Sequence, residues 1–428
     1  MDAGVVIVGG GAAGLLAAAS SAARLREAGS DAPVVVLEAA REPGRKILVS
    51  GGGHCNVLPM REARARFVST SPRRLVDRFL DRFPLSAQRA FFEEILGGPL
   101  REEMESAKLF PPSNRARDVR DALVAHARTA GVEVRSAMPV REVLLREGGG
   151  FDVRLDADAL FASRVVLATG GRSVLAGGAD AAGFDWVAAL GHRMRPLCPA
   201  LVPLAGSSPV HAALSGVSLE VAVTATSGTE SVTTRGGFLF THKGWSGPAV
   251  LDASHVVSRA IAEGRPFAVT VSFGGSGEEW EAALRAHPGS GTVLGVLRRS
   301  IPDRVAALVL AEAGVAGVEP LHRLTREARR EVVRALTAFP LPVEGTEGYR
   351  TAEVTAGGVA LEEVDPGSGA SRLVPGLFLA GEILDATGPI GGFNFQWAWA
   401  TGRTAGEGAA KSFLSGAAGQ PLTVNPRA

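Results

Sequence analysis

The chain has 428 residues, enough for two or three domains and a sizeable core. Its formal net charge is +1, which gives no general electrostatic pull toward nucleic acid or acidic lipid, and the arginine-rich stretch from Arg61 to Arg66 reads as a solvated helical face. Two cysteines, Cys55 and Cys198, with no C-x-x-C, exclude a disulfide scaffold and fit a reducing, cytoplasmic setting.

The run Val5-Val6-Ile7-Val8 reads as an apolar strand that enters Gly9-Gly10-Gly11-Ala12-Ala13-Gly14 and then an alanine-rich helix. Gly9 permits a tight turn, and Gly11 lets the backbone N–H groups there, with those of Ala12 and Ala13, approach a pyrophosphate. Gly14 lets helix lie against strand. Residues 4–23 are uncharged and mostly apolar. The glycine turn in their middle and the lack of a basic flank exclude a membrane span or signal peptide. A second strand, Val34-Val35-Val36-Leu37, ends in Glu38, about 20 residues past the glycines, where a carboxylate can hold a ribose diol. Arg45 and Lys46 follow as candidates to neutralise a pyrophosphate or meet the ribose. The loop from Ser50 through Gly51, Gly52 and Gly53 to Asn56 is expected to lie against the cofactor.

Residues 61–104 have helical apolar spacing (Leu75, Phe79, Phe83; Phe91, Ile95), and 118–130 predict another helix. Short strands at 132–134, 140–145 and 151–155 predict an antiparallel meander. The buried strand at 165–168 then runs into Thr169-Gly170-Gly171, a second close approach of backbone to cofactor. Residues 196–272 predict short alternating strands, among them 220–226 and 267–273, and 278–336 are helical. Gly274-Gly275-Ser276-Gly277 is a decoy, because the third glycine position counted from Gly275 is Trp280. The expected domains are a nucleotide-binding domain at 1–195 and 351–428, and an insert at 196–350 with a helical part at about 276–338. The last dozen residues are expected to fray.

The final segment points to flavin. Leu377-Phe378-Leu379-Ala380 is a strand ending in Gly381 and Glu382, followed by Asp385 and by Gly391-Gly392-Phe393-Asn394, which opens a helix. Acids there can meet the ribityl and phosphate part of FAD, and the glycine pair would pass beneath a flat ring. The helix start would face the N1/C2 edge of the isoalloxazine, where a dipole stabilises the negative charge of reduced flavin by about 0.3–1 kcal/mol. Flavin carries the redox chemistry, so the chain need supply only orientation, electrostatics and a proton. The acid/base candidates are His54, after the glycine loop, and His242, within Thr241-His242-Lys243-Gly244-Trp245. A structural role for each is the competing reading, and Cys55 reads as packing.

Four blocks together carry a family resemblance: 44–56 (Gly-Arg-Lys-Ile-Leu-Val-Ser-Gly-Gly-Gly-His-Cys-Asn), Lys108-Leu109-Phe110-Pro111, the stretch 239–248, and 354–394 from Val354-Thr355-Ala356-Gly357-Gly358-Val359 onward. On these the chain resembles the bacterial BaiN/YhiN-like FAD-dependent oxidoreductases, which include enzymes described as aminoacetone oxidases. In that family the glycine loop reads G-G-G-R-C-N-x-T-N. Here His54 takes the arginine's place, and Val57-Leu58-Pro59 follow the asparagine. The resemblance implies FAD, a backbone contact from Val140 to adenine, and a two-dinucleotide-binding-type fold. The expected class is α/β: a Rossmann-type FAD-binding domain with an inserted β-barrel-like domain carrying a small helical subdomain. The expected activity is hydride exchange between flavin N5 and a small organic substrate bound between domain and insert, with His242 and Trp245 near the ring; reduction of an unsaturated ketone and an O₂-dependent amine oxidase are both open. NAD(P)H stays open as external donor, and no nucleic acid, membrane or metal is expected. A flavin-binding redox sensor or assembly protein is the alternative, and a tRNA-modifying flavoenzyme a weaker one for want of a basic stripe.

Overall fold

The computed structural model describes residues 2–173, 182–285 and 291–416; the expected fraying at 417–428 lies outside them. The chain divides into two compact units, residues 1–197 with 354–428, and residues 198–353. The expected boundaries at 196 and 350 fall within three residues of these.

The first unit opens with β1 (Asp2–Val8), α1 (Ala12–Glu27), β2 (Val34–Leu37) and α2 (Arg45–Val49). A covering segment follows: β3 (Leu58–Pro59), α3 (Arg73–Arg82), α4 (Leu85–Ile95), β4 (Arg101–Glu103) and β5 (Lys108–Phe110). Then come α5 (Ala116–Thr129), β6 (Glu133–Arg135), β7 (Glu142–Leu145), β8 (Phe151–Arg154), β9 (Ala159–Leu167), α6 (Ala182–Ala189) and β10 (Met194–Ala200). The second unit holds β11 (Leu204–Ala205), α7 (Pro209–Ala212), β12 (Ser218–Ser227), β13 (Glu230–Phe240), β14 (Gly244–Ser246), α8 (Pro248–Ala262) and β15 (Ala268–Ser272). It ends with α9 (Gly277–Arg285), α10 (Val293–Leu297), α11 (Asp303–Glu312), α12 (Arg326–Thr337), β16 (Phe339–Leu341) and β17 (Gly345–Thr346). The chain re-enters the first unit with β18 (Val354–Val359), β19 (Leu377–Leu379) and α13 (Phe393–Leu414).

In the first unit β6, β2, β1, β9 and β19 form a parallel sheet in that order. On the edge of β9 that faces away from β1, β8 pairs antiparallel with the first half and β19 parallel with the second, and β7 continues from β8. β6 thus belongs to the parallel edge beside β2, and the expected meander is β7, β8 and β9. The central strands are apolar on both faces, as a sheet covered on both sides requires. One cover is α1 with α13. A Cβ on Gly402 or Gly406 would overlap the carbonyl oxygens of Ala13 and Ala17, so these two glycines let α13 lie directly on the alanine face of α1.

The second unit is a seven-stranded sheet in the order β16, β15, β12, β13, β14, β11, β17. It curls around α8, whose residues from Ala249 to Ser258 are all buried, and α8 touches β11, β12, β13, β14 and β17. This helix differs from the expectation of strands throughout 196–272. Its signal was Pro248 at the first helical position, followed by 15 residues without glycine. The helical part, α9 to α12, packs through Trp280, Leu297, Val309 and Leu336 into the same core.

Candidate active site

Gly9 to Gly14, Glu38, Thr169 to Gly171, and Gly381 with Glu382 follow directly on the carboxyl ends of the parallel strands β1, β2, β9 and β19. The β1–α1 turn is fixed by close approach: a Cβ on Gly14 would overlap the Gly9 carbonyl oxygen, and one on Gly9 would overlap that of Ala168. At Gly11, by contrast, a Cβ would meet nothing within 4 Å. No side chain caps α1, and its first turn has no acidic residue. The positive dipole end of a 16-residue helix thus has no side-chain cap and no acid in its own first turn, which suits a pyrophosphate.

Glu38 follows β2. Its Oε2 accepts from the Gly10 N–H at 2.7 Å and its Oε1 from the Ala40 N–H at 2.8 Å. These bonds aim the half-buried carboxylate across the turn and leave lone pairs for a diol. Met138 N–H donates to the Glu38 carbonyl and Ala137 N–H to that of Ala40, which lays the segment leading to buried Val140 beside this end of the site. Gly44 donates its N–H to the Gly10 carbonyl and turns the chain into α2. There Arg45 is exposed, whereas Lys46 Nζ pairs with Glu382 Oε2 at 2.6 Å. Lys46 and Glu382, both expected as cofactor contacts, thus hold each other. Glu382 Oε1 also accepts from Thr355 N–H at 2.7 Å, and Thr355 Oγ1 accepts from Arg172 N–H at 2.7 Å. Thr355, not among the expected site residues, reaches this pair through backbone groups far away in sequence, which no local motif reveals.

The glycine loop is a short turn at Ser50–Gly53, with Ser50 Oγ donating to the Ile47 carbonyl at 2.7 Å. His54 ends it, exposed, its Nδ1 2.9 Å from the Asn114 carbonyl oxygen. Cys55 is completely buried, and burial pushes its thiol up to about 12, so it is no thiolate nucleophile. Asn56 Oδ1 and Thr169 Oγ1 are buried without hydrogen-bond partners among the described residues. Buried polar atoms rarely go unsatisfied, so both suit a polar ligand beside the loop and after β9. The open α1 terminus, the aimed Glu38 and these two orphaned atoms together fit FAD.

The C-terminal loop is held by contacts within the protein. Gly392, at φ 92°, does open α13, but a Cβ there would stand 2.6 Å from Leu58 C and 2.9 Å from Pro59 N. The glycine lets the chain pass close to β3. Asn394 bonds Gly388 twice, Nδ2 to the carbonyl and Oδ1 from the N–H, each at 2.9 Å. Phe393 is buried, 6.0 Å edge-on from Phe67. Asp385 Oδ2 accepts from Thr70 N–H and Oγ1 at 3.0 and 2.7 Å and from Ser69 Oγ at 3.2 Å, which ties this loop to the segment before α3. Gly381 donates its N–H to Thr401 Oγ1. Gly170 is open, with nothing within 4 Å of a Cβ, while one on Gly171 would overlap Glu382 and Thr355.

In the second unit His242 is exposed in the turn between β13 and β14, where Thr241 N–H donates to the Gly244 carbonyl. Trp245 is fully buried in that unit's own core, 5.4 Å edge-on from His211, so its ring is core packing and offers no surface to a ligand. Among the described residues no group of three His, Cys, Asp or Glu could hold a metal ion, and no helix is long and apolar enough to cross a membrane.

The profile of the family described as HI0933-like protein Rossmann domain matches residues 3–408. The chain is 31% identical over 387 residues to a protein of Clostridium scindens named 3-dehydro-bile acid delta(4,6)-reductase, covering 89% of this chain and 93% of that one. It is 32% identical over 373 residues to one of Escherichia coli named ribosomal RNA dihydrouridine synthase, covering 86% and 90%. Among solved structures, the 3-ketosteroid-delta4-(5alpha)-dehydrogenase of Rhodococcus jostii RHA1 shares the fold, with a TM-score of 0.50, 16% identity and 96% and 97% coverage.

Proposed function

The chain belongs to the HI0933-like Rossmann family and is an FAD-dependent oxidoreductase, and from that premise we propose that it reduces a carbon–carbon double bond conjugated to a carbonyl. One observation carries the reading. Two relatives similar to this chain at 31% and 32% identity are named for very different substrates, yet both names describe the same bond change. A 3-oxo steroid with 4,6-unsaturation and a uracil ring each present an alkene polarised by a carbonyl. Saturating either takes a hydride at the electron-poor carbon and a proton at the carbon beside the carbonyl.

FAD, when bound, supplies the two-electron chemistry. The chain's part is to hold and orient it, with the α1 terminus on the pyrophosphate, Glu38 on the ribose, and Thr169 and Asn56 as polar partners. His54, exposed at the end of the glycine turn, is the candidate proton donor. The first substrate class is a small conjugated ketone; the second, favoured by the E. coli relative's name, is a uracil base within RNA. Incubating the holoenzyme with NAD(P)H and either a steroid 4-en-3-one or ribosomal RNA, with mass spectrometry of the products, tests the reading. A product heavier by two hydrogens from either substrate supports it. Turnover of the flavin by O₂ alone, with neither substrate changed, contradicts it.

A further inference from the structure

We infer that the arginine-rich face of α3, with the segment leading into it, is a docking surface for the phosphate backbone of RNA. This rests on the RNA form of the proposed function. Residues 61–82 contain seven arginines (61, 64, 66, 73, 74, 78 and 82) and three acids (Glu62, Asp77, Asp81), a net of +4 in a chain whose total is +1. The near-neutral whole hides a strongly basic segment, and this revises both the reading of Arg61 to Arg66 as a merely solvated face and the expectation of no nucleic-acid partner.

The helix geometry concentrates that charge. Leu75, Val76, Phe79 and Leu80 are buried, so Arg73, Arg74, Arg78 and Arg82 fall on the opposite face together with Asp77 and Asp81, four positive charges to two negative. Arg64 is held by Glu62 and Asp81, and Arg73 lies 3.8 Å from Asp77. Arg61, Arg74 and Arg78 are exposed with no ion-pair or hydrogen-bond partner among the described residues. Arg74 and Arg78 are like charges at i and i+4, with Asp77 and Asp81 each three residues on along the same face.

The segment leading into α3 touches the start of α13 and the loop before it. Arg66 stands over the Phe393 ring at 5.9 Å, Phe67 meets the same ring at 6.0 Å, and Val68 forms an antiparallel bridge with Thr387. Phe393 is the first residue of α13, next to Gly391 and Gly392. A strand of RNA tracked by these arginines would pass beside the loop expected to carry the flavin ring. A small steroid needs no such face. Lysine-poor and arginine-rich, it suits phosphate oxygens, which guanidinium groups grip in pairs.

The test is fluorescence anisotropy of FAD holoenzyme with a labelled, uridine-containing single-stranded RNA, over a range of salt. Arg61→Gln/Arg74→Gln/Arg78→Gln should weaken binding at least tenfold and lower the salt slope by about 2, since each single-strand phosphate contact contributes about 0.7. FAD content and reduction of a steroid 4-en-3-one should not change. A control triple, Arg323→Gln/Arg326→Gln/Arg330→Gln on the second unit, removes equal charge from another exposed surface and should leave RNA affinity nearly unchanged. Equal losses from both triples, or no measurable RNA binding by the native protein, would overturn the docking surface. Enone reduction in the same preparations reports independently on the proposed reaction.

Discussion

Glu38 shows how a single side chain joins fold to cofactor. Its carboxylate is held by two backbone N–H groups, one from the glycine turn and one from the segment after β2. Glu38→Ala should remove charge-assisted bonds of about 1.5–3 kcal/mol, which is roughly a tenfold to hundredfold rise in the dissociation constant for FAD. Titrating apoprotein with FAD measures this, and unchanged affinity would place the ribose elsewhere. The fingerprint and Glu38 were legible from sequence because the chemistry needs those residue types at that spacing. The C-terminal loop was legible only as a loop. Gly392, Asn394 and Asp385 all serve contacts to β3, Gly388 and Ser69–Thr70, partners that neither spacing nor composition reveals. The Lys46–Glu382 pair bridges 336 positions and was hidden for the same reason.

At the scale of elements, α8 carries the clearest divergence from sequence. Its residues are buried nearly all round, so it lacks the one-sided periodicity by which a surface helix declares itself. That burial has a titration consequence. His255, on α8, is held down to about 4 from its ordinary 6.5, chiefly by burial, with Arg259 adding to it and the Asp252 carbonyl at 2.9 Å opposing. Between those values the unfolded chain binds a proton that the folded chain refuses. Stability from this group is therefore complete above about pH 6.5 and declines as pH falls toward 4. The full loss is on the order of 3 kcal/mol. Urea unfolding of the native protein and His255→Gln across that range checks it, with the native protein losing stability faster on acidification. Parallel curves would mean that His255 is not the group responsible. α1 and α13 were readable as helices, but the close crossing at Gly402 and Gly406 was not, since a glycine inside a helix reads only as a weakness until its neighbour is known.

For the whole molecule, the division into a nucleotide-binding unit and an insert was visible in the change from Rossmann pattern to alternating strands and back. The curling of the insert's sheet around a helix was not, because strand order is set by non-local pairing. The family and the fold establish the flavoenzyme; the reaction rests on the shared bond change of its relatives. Single-turnover mixing tests that claim most directly. The holoenzyme is reduced under anaerobic conditions and mixed with a steroid 4-en-3-one or with ribosomal RNA, and the flavin absorbance is followed. At least one of them should reoxidise the flavin stoichiometrically, with one alkene saturated per FAD. A flavin that stays reduced with both, and is reoxidised only when O₂ is admitted, would contradict it.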